Sequence, residues 1–328
     1  MALRHVRYVF FTAAVLPLSV QAQQQPAQDA VCIAHGGAGG YAPFSSMSSF
    51  TLALSMKPDY IETDLQLSKD GVLVCIHDLS LEDQTDVEDL YPNRYTNVER
   101  NGQTLKRWYV NDFTLAELKA LDSGSWFDPK FKGEPLATFQ ELIDLAKGKV
   151  GLYPETKDPD FYAARGLDIN EALHELLKKN GLDTREGQKT TPVIIQSFYE
   201  QSLKRLRELG GDNYTLIQLV WFDQWNDCMT DKGLDRVATY ANGVGPFLSM
   251  VLPPNESRIY EAHKRGLKVH VWKAHEAFPP ARFPNRKSYM KYLLDDLHVD
   301  GIFTDRPDEF PAVEPAATSA SRDEKSRT

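Results

Sequence analysis

Cysteine is scarce in this chain: Cys32, Cys75 and Cys228 are the three in 328 residues. That number is too small and too odd for a disulfide scaffold, and no Cys-x-x-Cys pair offers a zinc site. Cys32 and Cys75 each lie in an apolar run just before a histidine, which reads as buried free thiols rather than a bridge. Excess positive charge is also lacking. The formal net charge is −9, so the charge balance gives no footprint for nucleic acid or an anionic membrane. The apolar run Tyr8 to Val20 is too short to span a bilayer comfortably. Beyond Pro311 large apolar residues almost disappear, and a disordered tail is expected over 313–328.

What is present begins with an export signal. Arg4 and Arg7 precede the apolar run, and Val20-Gln21-Ala22 supplies small residues for cleavage. Residues 1–22 are read as the signal and 23–29 as a polar leader, with the mature protein secreted into a bacterial periplasm. No cysteine follows the run, which argues against a lipoprotein, and no stable membrane insertion is expected after cleavage.

From residue 30 to 312, short β-rich runs alternate with helix-like stretches. The runs are Val31 to His35, Tyr60 to Asp64, Val72 to His77, Gly151 to Glu155, Pro192 to Ser197, Thr215 to Val220, Phe247 to Leu252, Lys268 to Trp272 and Asp300 to Thr304. Thr138 with Glu141 forms a capping-box signature, and Ser197 reads as another helix start. If the third run extends the second as a hairpin, about eight strand–helix units remain, the pattern of an α/β (β/α)8 TIM barrel. The stretch from about 80 to 135 breaks the alternation and carries several aromatics, so it is read as an insertion on the catalytic rim.

Glu62 and Asp64 are two apart on a strand and share a face. Two close carboxylates call for a cation between them, and oxygen donors favour Mg²⁺ or Ca²⁺ over zinc. The Lys69-Asp70-Gly71 turn brings His77 back beside them. In a barrel of this kind the active site lies at the C-terminal strand ends. His35, Glu62, Asp64, His77, Glu155, Lys157, Gln196, Trp272 and Thr304-Asp305 all fall there. Lys157 shares a face with Glu155 and reads as a phosphate-binding charge or as a salt-bridge partner of a nearby carboxylate. Trp272 is a pocket wall or a core residue, and Gln196 is a weaker candidate. His174, His263, His270, His275 and His298 are read as surface or packing residues.

Taken in order, Ala34-His35-Gly36-Gly37, Tyr60-Ile61-Glu62-Thr63-Asp64, Ser68-Lys69-Asp70-Gly71 and Val74-Cys75-Ile76-His77-Asp78 form a specific set. Tyr153-Pro154-Glu155-Thr156-Lys157, Ile195-Gln196-Ser197-Phe198, Val269-His270-Val271-Trp272 and Asp300-Gly301-Ile302-Phe303-Thr304-Asp305-Arg306-Pro307 complete it. With these the chain resembles the glycerophosphodiester phosphodiesterase family, and the long insertion resembles its periplasmic branch. The resemblance implies a phosphatidylinositol-phospholipase-C-like barrel that hydrolyses glycerophosphodiesters to glycerol 3-phosphate and an alcohol. It implies a divalent metal, Ca²⁺ or Mg²⁺, on Glu62, Asp64 and Glu155. His35 and His77 would be the acid–base pair, and Lys157, Trp272 and Gln196 would meet the substrate. Attack by the neighbouring glycerol hydroxyl, through a cyclic phosphate, is implied as well.

One departure stands out. The family pattern is His-Arg-Gly followed by Pro-Glu-Asn, whereas this chain has His35-Gly36-Gly37 and Pro43-Phe44-Ser45. An arginine and a glutamate are lost together, so neither charge is stranded. A charged hydrogen bond of that kind contributes roughly 1.5–3 kcal/mol. Arg94, Lys106, Arg107 and Lys273 are candidate replacements. Two other readings compete: a lysophospholipase D or sphingomyelinase D-like enzyme, and a non-catalytic barrel that binds a phosphate ligand.

Overall fold

The computed structural model describes residues 30–272 and 281–311. The expected export signal, the polar tail, Lys273 and His275 lie outside the described residues. Among the described residues, no helix is long and apolar enough to cross a membrane.

The strands are β1 (Val31–Ala34), β2 (Tyr60–Leu67), β3 (Leu73–Cys75), β4 (Thr96–Arg100), β5 (Gln103–Arg107) and β6 (Gly151–Thr156). They continue with β7 (Ile194–Ser197), β8 (Thr215–Val220), β9 (Gly243–Pro246), β10 (Lys268–Val271) and β11 (Gly301–Thr304). The main sheet runs β1-β11-β10-β9-β8-β7-β6-β2-β3, and β1 also pairs with β2. That extra pairing closes the ring. β3 is antiparallel to β2 and hangs outside it. What remains is a closed barrel of parallel strands, with helices between them. It is the TIM-barrel architecture that the alternation predicts.

Barrel strands have both faces covered, so they read as near-continuous apolar runs. Every residue of β2 except Tyr60 is buried, and so is all of β6. A carboxylate in such a strand needs a partner, and register supplies it. Asp64 stands opposite Glu155, and Glu155 stands opposite Gln196. Three polar residues from three strands therefore form one row near the C-terminal ends.

The helix Phe139–Ala146 shows the local logic outside the ring. Thr138 and Glu141 cap its start reciprocally, as the sequence signals. Phe139, Leu142, Ile143 and Ala146 then bury one face against the barrel. Each large side chain so buried contributes roughly 1.5–3 kcal/mol.

Two expectations need correcting. The sixth barrel strand is Gly243–Pro246, and the expected strand Phe247–Leu252 instead contains a short 3-10 turn, Leu248–Met250. Glycines usually mark breaks in strands, yet here close packing demands them. A Cβ on Gly243 would meet the Lys268 carbonyl at 2.6 Å, and one on Gly245 would meet Leu219 at 2.8 Å. Ser197 is not a helix cap either. It ends β7, and its hydroxyl donates to the Thr156 carbonyl at 2.8 Å, while Tyr199 precedes the helix Glu200–Gly210.

The long stretch after β3 builds its own small core, in which Val74, Ile76, Val87, Trp108, Phe113 and Leu136 pack together. Its polar hairpin, β4 with β5, turns at Asn101-Gly102 with positive φ at both positions. That is the geometry of a two-residue hairpin turn. The alternation in those strands is too polar to announce them.

Candidate active site

The site starts at the end of β1. Gly36 sits at φ +56, a conformation that costs other residues strain. This lets its backbone N–H donate to Glu62 Oε2 at 2.8 Å. Gln196 Nε2 donates to the other oxygen, Glu62 Oε1, at 3.1 Å. Glu62 is thus held from two sides by neutral donors.

Glu62, Asp64 and Glu155 are all buried, and each offers an oxygen within 4.8 Å of the others. Lys157 Nζ lies 3.4 Å from Asp64 Oδ1 and 3.3 Å from Glu155 Oε1. Burial, then the charge of Asp64, pushes the Glu62 carboxyl well above its usual range. Burial likewise lifts Glu155 to about 8, against the pull of Lys157. Asp64 goes the other way. Burial opposes its charge, but Lys157, His77 and His35 together bring it down to about 2. Lys157 is itself buried, yet Glu155 and Asp64 outweigh that and hold it firmly protonated.

Three carboxylates with one ammonium are short of positive charge. Asp64 Oδ2 is buried and has no hydrogen-bond partner among the described residues. An all-oxygen donor set with an orphaned acceptor fits a hard divalent cation of the Mg²⁺ or Ca²⁺ type. The same geometry makes Lys157 a salt-bridge partner of two of the carboxylates, one of its two expected roles.

The two histidines flank this floor. His35 Nδ1 lies 2.7 Å from Asp305 Oδ1, and His77 Nδ1 lies 2.7 Å from Asp78 Oδ1. A carboxylate on Nδ1 fixes the tautomer and leaves Nε2 to exchange protons. The negative charge of Asp64 is the main reason His77 is raised above its usual pKa, with Asp78 adding to it.

A cleft of about 490 Å³ opens above these groups. Its floor is polar, with both histidines, the three carboxylates, Lys157 and Asp305. Its walls are aromatic, with Phe44, Trp126, Phe127, Phe198, Trp272 and Phe303. Trp272 is a wall residue, stacked on Trp221 at 5.0 Å and anchored by its indole N–H to the Gly245 carbonyl at 2.8 Å. Gln196 does not line the cleft; it lies behind Glu62 and braces it. Of the candidate replacement cations, Arg94 pairs with Glu117, Arg107 with Glu82, and Lys106 lies over Tyr95. None of these three lines the cleft.

Other histidines pack as expected. His174 meets the Tyr214 hydroxyl, His263 pairs with Asp300, and His270 meets the Tyr153 hydroxyl inside the barrel. The three cysteines are free and buried. The sequence reading assigned no role to Asp305 or to Phe198, Trp126 and Phe127. For Asp305 a signal existed, since it directly follows the last strand at the active rim. For the two insertion aromatics the signal was only that they lie in the aromatic-bearing stretch expected on the catalytic rim.

A family model described as the glycerophosphoryl diester phosphodiesterase family matches residues 35–309. A glycerophosphodiester phosphodiesterase of Bacillus subtilis is 34% identical over 291 residues, 86% of this chain and 85% of the relative. One from Haemophilus influenzae is 31% identical, covering 88% of this chain and 91% of its own length. Among solved structures, an Oleispira antarctica phosphodiesterase in complex with the product sn-glycerol-3-phosphate aligns with a TM-score of 0.64. It is 21% identical over 87% of this chain and 97% of its own, a likeness of fold.

Proposed function

This chain belongs to the glycerophosphoryl diester phosphodiesterase family and is a phosphodiesterase, and from that we propose a metal-dependent, two-histidine hydrolysis of glycerophosphodiesters to glycerol 3-phosphate and an alcohol. The observation that carries it is the buried trio Glu62, Asp64 and Glu155, set between His35 and His77 on the floor of one cleft. The trio would hold the divalent cation, which supplies positive charge for the phosphate oxygens and lowers the pKa of a bound hydroxyl.

The protein's own groups do the rest. Lys157 brings a fixed charge to the phosphate. One histidine takes the proton of the attacking glycerol hydroxyl at Nε2, the other gives a proton to the leaving alkoxide, and water then opens the resulting cyclic phosphate to glycerol 3-phosphate with the two roles exchanged. Asp305 and Asp78 steady the imidazolium that each forms in turn. Turnover of glycerophosphocholine and glycerophosphoethanolamine, with and without added Mg²⁺ or Ca²⁺, tests the reading. Activity indifferent to metal, or surviving His35→Ala together with His77→Ala, would refute it.

A second reading has an observation in its favour. The aromatic wall runs out to half-exposed Trp126 and Phe222, a surface suited to the acyl chain of a lysophospholipid. Faster turnover of lysophosphatidylcholine than of glycerophosphocholine would support it. Export is proposed from Arg4, Arg7 and Val20-Gln21-Ala22. The mature protein should then begin at Gln23, and intact mass from a bacterial host decides it.

A further inference from the structure

Position 36 and position 44 form one steric unit. A Cβ built on Gly36 would lie 2.2 Å from the Phe44 ring, far inside normal carbon contact. The same ring lies 3.1 Å from where a Cβ on Gly39 would stand. It also stands edge-on to His35, with ring centroids 4.6 Å apart and planes at 70°. Phe303 stands edge-on to the same imidazole at 6.3 Å and 81°.

We propose that Phe44 is a positioning residue for His35, and that Gly36 is required because it leaves room for that ring. The inference rests on the reading that His35 transfers a proton. The hydrogen bond from Nδ1 to Asp305 sets the tautomer and holds one corner of the imidazole. The edge-on contacts with Phe44 and Phe303 bear on the plane of that ring. The place where the family pattern carries a charged clamp is filled here by an apolar brace. The brace also keeps water from one side of the imidazole. Gly36 adds a second link, since its N–H bonds Glu62. A bulkier residue there would disturb both the histidine and a proposed metal ligand.

The test is steady-state kinetics on glycerophosphocholine at saturating divalent metal. The variants are Phe44→Ala, Phe44→Leu, Gly36→Ala, the double Gly36→Ala/Phe44→Ala, and His35→Ala. A catalytic group misplaced by about 1 Å loses up to about a hundredfold in rate. Phe44→Ala should therefore lower kcat by about 10- to 100-fold and leave KM within about threefold. Phe44→Leu keeps most of the volume and should restore kcat to within about threefold of the starting protein. Gly36→Ala should cost at least about tenfold more in the starting protein than in the Phe44→Ala background, because the clash has gone. The strain of alanine at positive φ is common to both backgrounds and cancels.

Circular dichroism checks folding. If Phe44→Ala does not fold, Phe44→Val replaces it with the same expectation. The proposal is overturned if kcat is unchanged by Phe44→Ala while His35→Ala is inactive, if only KM moves, or if the Gly36→Ala cost is equal in both backgrounds. An active His35→Ala would instead overturn the acid–base role of His35, and this proposal with it.

Discussion

His270 lies inside the barrel, 4% exposed, with Nδ1 2.9 Å from the Tyr153 hydroxyl. Burial lowers its pKa from 6.5 to about 4; Asp300 opposes this and Lys268 adds to it. The folded state therefore keeps a neutral imidazole that the unfolded chain would protonate first. Its contribution is fully present above about pH 6.5 and is lost progressively as pH falls toward 4. A shift of that size, at about 1.4 kcal/mol per pH unit, makes the loss on the order of 3 kcal/mol. Against a typical total of 5–15 kcal/mol this is a large share.

The assay is urea unfolding of the parent and of His270→Phe at several pH values from 8 to 4. At pH 8 the variant should be less stable by about 1–3 kcal/mol, since the Tyr153 hydroxyl loses its hydrogen-bond partner. As pH falls, the parent should lose stability faster, and the difference should move about 3 kcal/mol in the variant's favour. Glu62 and Glu155 also titrate, but they do so in both proteins and drop out of the difference. A difference that stays constant from pH 8 to 4 would refute the claim that His270 is held neutral by burial.

Other outcomes follow from the same structure. His77→Ala should lower turnover by at least about a hundredfold, the low end for acid–base catalysis, and a fall under about threefold would remove His77 from the chemistry. Burial lifts the Cys75 thiol to about 12 and the Cys228 thiol to about 11, and it raises Cys32 as well. Native protein should thus resist a thiol reagent, whereas denatured protein should titrate three free thiols; fewer than three in denaturant would mean a bridge. Thr138→Ala removes the side-chain half of a capping box and should cost about 0.5–2 kcal/mol in urea unfolding; an unchanged midpoint would show that the cap does not matter.

The sequence carried the parts of the site that periodicity governs. Glu62 and Asp64 share a face because side chains alternate, and the Lys69-Asp70-Gly71 turn returns the chain toward them. The barrel itself was visible as alternation. Register between strands was not visible, yet it is register that sets Asp64 beside Glu155 and Glu155 beside Gln196. Gln196, at the end of that row, bonds Glu62 and does not line the cleft. β9 was misread because its glycines answer to the neighbouring strands, and a single sequence does not show those contacts. The replacement of two charges at 36 and 44 was plain in the sequence, but its meaning needed the Phe44 ring in place over Gly36. Trp126 and Phe127 reach the cleft through tertiary packing of the insertion; its place on the rim was legible, but which of its aromatics would face the cleft was not.

The central claim is that Glu62, Asp64 and Glu155 hold a divalent cation on which hydrolysis depends. The direct measurement is the rate of glycerol 3-phosphate release from glycerophosphocholine before EDTA treatment, after it, and after Mg²⁺ or Ca²⁺ is returned. The account predicts loss of activity with EDTA and recovery with one of the two ions in the parent, but no recovery in Glu62→Gln. Full turnover by the EDTA-treated enzyme would contradict it.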